Sequence, residues 1–101
     1  MDFTNNEKYA IITILSLIME ADTIVHPKEI EFMNIMMKRL NIRISDLDHM
    51  EMSDLTLSKT IIQAMSPQKQ KIVKEWFQTM AQIDGYIDPR ETNVINSTFG
   101  L

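Results

Sequence analysis

Two short acidic segments hold most of the residues in this chain whose types and spacing could do chemistry. The first is Asp22-Thr23-Ile24-Val25-His26-Pro27-Lys28-Glu29 and the second is Asp84-Gly85-Tyr86-Ile87-Asp88-Pro89-Arg90-Glu91. Carboxylates are hard oxygen ligands suited to Ca²⁺ or Mg²⁺. Asp22, Glu29, Asp84, Asp88 and Glu91 are therefore the candidate metal ligands. The second segment resembles the latter half of an EF-hand loop. However, the first and third ligand positions of such a loop would fall on Met80 and Gln82, and in the first segment on Ile18 and Glu20. Methionine and isoleucine supply no carboxylate, so an EF-hand is excluded, and any cation site here is partial, weak and completed by water.

Local backbone chemistry offers a competing account. With Asp88 at the N-cap, Pro89, Arg90 and Glu91 fill the first three helical positions, and Glu91 can reach back to the N-cap amide as a capping box. Such a cap contributes about 1 kcal/mol. In the first segment His26 stands at the cap position and caps less well, while Glu29 keeps its place. Asp22 and Asp84 fall at helix C-termini, where the macrodipole disfavours an anion by about 0.3–1 kcal/mol. Hydrogen bonds from amides of the following turn offset that cost with fewer demands than a shared cation, which needs more oxygens.

Other chemistries are poorly represented. Cysteine is absent, which excludes a disulfide scaffold, a thiolate metal site and a cysteine nucleophile. The two histidines, His26 and His49, are far apart, and there is no glycine-rich loop or serine elbow. The expectation is a protein that is not an enzyme and has no cofactor beyond a weak divalent cation. His49 lies among Asp46, Asp48 and Glu51, a solvated acidic run. Met50 and Met52 sit in that run and are the candidate partner-binding residues, methionine being adaptable at binding surfaces. Fourteen acids oppose ten bases, a net charge of −4. Lys69, Lys71 and Lys74 thus read as a solvated helix face, and no nucleic-acid partner is expected.

The elements that must position these residues are helices. Two glycines and three prolines in 101 residues are too few for an all-β fold of short strands. The expected fold is all-α, with five or six helices in a single domain over residues 1–101. The most apolar stretch, Tyr9 to Met19, has 11 residues and is too short to span a bilayer, which takes about 20. It lacks a positively charged flank, and Glu20 and Asp22 follow it, so it does not read as a signal peptide. A central buried helix from about Asn6 to Asp22, bearing a narrow polar stripe of Thr13, Ser16 and Glu20, fits better, in a cytoplasmic protein with no membrane insertion.

Pro27 opens a second helix, with Met33, Met36, Met37 and Leu40 at core spacing, ending near Asn41. Arg43 to Asp54 reads as a short helix or loop with an acidic face. A helix from about Leu55 to Met65 is expected to bury Leu57, Ile61, Ala64 and Met65. Ser66-Pro67 starts the next, which buries Ile72, Val73, Trp76, Phe77, Met80 and Ala81. The last runs from Pro89 to about Phe99.

The two acidic segments match at an offset of 62 residues. Each follows a long helix and leads into another that closes on an apolar–Asn/Gly–apolar triplet, Leu40-Asn41-Ile42 or Phe99-Gly100-Leu101, the pattern of a left-handed C-cap. The chain thus reads as two related helical hairpins. Ala21-Asp22-Thr23-Ile24-Val25-His26-Pro27-Lys28-Glu29 and Ile83-Asp84-Gly85-Tyr86-Ile87-Asp88-Pro89-Arg90-Glu91 resemble the repeated signature of the TerB-like family. That all-helical fold occurs in tellurite-resistance protein B and in the membrane-proximal domain of some DnaJ-like co-chaperones. Thr23 departs from the family's glycine and Ile83 from its alanine. The resemblance implies a bacterial, cytoplasmic, non-catalytic module for protein–protein interaction in a stress-response or envelope-associated assembly, with an unidentified protein partner. A weak divalent-metal-binding protein is the alternative it leaves open.

Overall fold

The helices start where side chains can satisfy their first amides. In the computed structural model, which describes residues 2–21, 26–43, 45, 55–83, 85 and 88–100, five helices and no strand are found among the described residues. They are α1 (Asn5–Glu20), α2 (Pro27–Arg39), α3 (Leu55–Gln63), α4 (Pro67–Gln82) and α5 (Pro89–Thr98). Thr4 caps α1: its Oγ1 accepts the Glu7 amide at 3.1 Å, and Glu7 Oε1 accepts the Thr4 amide at 2.8 Å. This reciprocal box places the start one residue before the apolar pattern does. Ser66 Oγ accepts the Lys69 amide at 3.3 Å at the head of α4, with Pro67 in the first turn as expected.

Helix ends follow the sequence equally closely. Asn41 has φ 56° and Gly100 φ 78°. Behind α2 the Ile42 amide bonds Met37 O at 2.8 Å and the Asn41 amide bonds Lys38 O at 3.1 Å, the two bonds of a Schellman motif. Behind α5 the Gly100 amide bonds Ser97 O at 3.2 Å.

The repeat is reproduced in three dimensions. α4 begins and ends 62 residues after α1, and α5 begins 62 residues after α2. Buried Ile11, Leu15 and Ile18 of α1 correspond to buried Val73, Phe77 and Met80 of α4, and Met33 of α2 to Ile95 of α5. Glu7 and Lys69 are repeat-equivalent and pair at 2.8 Å, so the two long helices meet at their matching first turns.

The core draws on every helix, and α1 packs against all four others, which explains its nearly continuous apolar sequence. Met33, Met36, Met37 and Leu40 are buried as expected. Thr13, expected on a polar stripe, is buried, its hydroxyl donating to Tyr9 O at 2.8 Å. α3 corrects another expectation. Its buried residues are Ser58 and Ile62, with Met65 beyond its end, whereas Ala64 is exposed and Leu57 is 54% exposed. α3 lies along α1, and turning the small Ser58 inward permits closer helix approach than turning Leu57 inward. No helix among the described residues is long and apolar enough to cross a membrane.

Candidate functional site

The acidic motif is laid out twice, by α2 and α5. Glu29 and Glu91 hold the same third helical position and are only 1% and 3% exposed. The backbone around them matches. The Glu29 amide bonds His26 O and the Glu91 amide bonds Asp88 O, both at 3.0 Å. The next amides, of Ile30 and Thr92, bond the same carbonyls at 3.3 Å. Glu29 Oε1 accepts the His26 amide at 2.9 Å, the backward-reaching half of a capping box. A buried carboxylate is costly unless hydrogen-bonded, and this bond supplies part of the compensation.

Asp88 is the N-cap of α5. Its Oδ1 accepts the Arg90 amide at 2.8 Å, and the Arg90 guanidinium folds back onto both oxygens, Nε to Oδ1 at 3.0 Å and Nη2 to Oδ2 at 2.7 Å. The Arg90 side chain, its amide and its charge outweigh desolvation and bring the carboxyl down to about 2. Both oxygens are committed to this fork, which gives Asp88 a structural role. Among the described residues no group of three or more His, Cys, Asp or Glu side chains is placed to hold a metal ion. Asp22 and Asp84 lie outside the described residues, as do Met50, Met52 and His49.

A feature that sequence reasoning missed lies where the end of α2 meets α4. Phe3, Arg39, Leu40, Ile72, Glu75 and Trp76 line a cleft of about 480 Å³. Phe3, Arg39 and Leu40 also line an adjoining recess of about 360 Å³ with Asp2, Lys8 and Asn41. Trp76 is only partly buried, correcting the expectation of a core residue. Its ring packs against Phe3, centroids 5.6 Å apart, and lies under the Arg39 guanidinium, 5.9 Å from the centroid. The Trp–Arg pair offers broad apolar contact beside a positive charge. No spacing rule links residues 3, 39 and 76, and an indole on the apolar face of α4 reads as core until the edge of the face is known.

Glu7 shows how the neighbouring helix starts are tied. Burial alone would raise its carboxyl. The hydrogen bonds from Lys69 and from Thr4, with the Lys69 charge, outweigh burial and hold it below the usual carboxylate value. No protein-family model matches the chain, and neither a curated protein nor a solved structure does.

Proposed function

We propose that this chain is a non-catalytic, cytoplasmic protein-interaction module, as its resemblance to the TerB-like family implies, acting in a bacterial stress-response or envelope-associated assembly. The observation that supports the reading is the cleft at Trp76. A partly exposed indole under an arginine, beside Phe3 and Leu40, brings together tryptophan and arginine, two of the residue types enriched among binding hot spots. The test is affinity capture from the source cytoplasm with the wild-type chain and with Arg39→Ala. A discrete partner retained by wild type and lost by the variant, both equally folded, supports the module. Turnover of a substrate that depends on named side chains overturns it.

The burial of Glu29 and Glu91 at matching positions favours one second reading, a weak divalent-cation site that they share with Asp22 and Asp84. Thermal midpoints in EDTA and in millimolar Ca²⁺, Mg²⁺, Mn²⁺ or Zn²⁺ test it. Binding at about 100 times the dissociation constant stabilises by about 2.7 kcal/mol. A selective rise that Asp84→Asn abolishes supports the site, and the absence of any rise removes it.

A further inference from the structure

On a different face of α4 from the Trp76 cleft, Pro67, Gln70, Lys71, Lys74 and Phe99 line a second cleft of about 400 Å³. Lys71 is exposed, and Lys74 holds its ammonium 5.8 Å from the centroid of the half-buried Phe99 ring. In a protein of net charge −4 the two charged residues lining this cleft, Lys71 and Lys74, are both basic, and Glu75 lines the Trp76 cleft instead. Lys69 is paired with Glu7, and Lys59 donates to Ser97 Oγ at 3.0 Å. Pro67, the first residue of α4, closes one end of the cleft.

The repeat shows what this face corresponds to. Lys71 and Lys74 stand where α1 has Tyr9 and Ile12, and Ile12 is buried in the core. α1 is covered on its sides by four helices, including α3 along its length, whereas α4 packs chiefly against α1 and α5. Where α1 places Tyr9 and the buried Ile12, α4 thus presents two lysines beside the half-buried ring of Phe99.

We propose that this cleft docks an acidic amphipathic helix of a partner protein. Its carboxylates would face Lys71 and Lys74, and its apolar stripe would cover Phe99 and Pro67. The inference rests on reading the chain as an interaction module, but uses a surface separate from the Trp76 cleft. Charge complementarity chooses the partner's sign, and the apolar floor chooses a peptide with apolar anchors over a purely polyanionic one.

The test is fluorescence anisotropy with a labelled synthetic helix of glutamates carrying leucines at helical spacing, beside its glutamine counterpart. Wild type is expected to bind the acidic helix saturably, more weakly as salt rises from about 0.05 to about 0.5 M. K71E/K74E should weaken binding by about tenfold or more. K28E, which reverses an exposed lysine on α2, and R39A, in the other cleft, should leave it unchanged. Thermal midpoint and near-ultraviolet circular dichroism establish that each variant is folded. No saturable binding, equal binding of the glutamine helix, or equal loss in K28E overturns the proposal. Tighter binding of a single-stranded oligonucleotide or of anionic lipid vesicles through the same two lysines also overturns it. A partner still captured through Arg39 after such a failure leaves the module reading intact. Loss of that capture while the acidic helix still binds separates the two the other way.

Discussion

The two hairpins place the same backbone in different surroundings. In the first, α1 is enclosed and its helix partner α2 starts at His26, with Glu29 bonded back to the His26 amide. In the second, α4 keeps one face open and α5 starts at Asp88, gripped by Arg90. Equivalent positions are buried in both hairpins at Ile11 and Val73, Leu15 and Phe77, and Ile18 and Met80, and others diverge. Tyr9 and Ile12 become Lys71 and Lys74, and Ile14, wholly buried, becomes the half-exposed Trp76. Shared positions therefore report what the fold requires, and divergent ones report what each surface is exposed to.

The sharpest test of shared requirement is the pair Leu15 and Phe77, equivalent and wholly buried. Leu15→Ala should cost about 2–5 kcal/mol and Phe77→Ala about 3–5 kcal/mol by urea unfolding. If one is nearly neutral, the two hairpins do not share a core position there. A smaller contrast concerns α3. Ile62→Ala should cost about 2–5 kcal/mol, whereas Leu57→Ala should stay within about 1 kcal/mol, because Leu57 faces solvent. Equal costs would restore the register that the sequence suggests.

The smallest effects separate the caps. His26→Asp, copying the second hairpin, should stabilise by about 0.5–1 kcal/mol, read as a higher thermal midpoint. The carboxylates add a pH signature. Asp88 is lowered in the fold to about 2 from an ordinary 3.8, so its contribution is full above about pH 4 and fades as pH falls towards 2. Glu7, also lowered, fades in the same direction. Acid titration of the thermal midpoint should show a shallower fall below pH 4 in Asp88→Asn than in wild type; identical curves would mean the Arg90 fork does not bear on stability.

Much of this was legible in the residues. Pro27, Ser66-Pro67 and Asp88-Pro89 mark helix starts, and Asn41 and Gly100 mark helix ends, because caps are local chemistry. Thr4 and Glu7 carry an equally local start signal, which the apolar pattern beginning at Asn6 conceals. α3 was not legible in register. Leu57, Ile61, Ile62 and Met65 spread around more than one face, and the choice is made by α1, not by α3. The Trp76 cleft and the Glu7–Lys69 pair depend on residues far apart in the chain, which periodicity cannot bring together. For the acidic motif, the caps were readable, whereas nothing in the spacing marks Glu29 and Glu91 as nearly wholly buried.

The Glu7–Lys69 contact has a consequence for what two copies of one half could achieve. A residue that touches its own repeat equivalent sits close to the axis relating the halves. Were both halves identical, a charge placed there would meet its twin, and like charges at 2.8 Å repel. Joining the halves in one chain lifts that constraint. One side can carry a carboxylate and the other an ammonium, so the contact at the axis distinguishes first half from second and favours their pairing over the pairing of like with like.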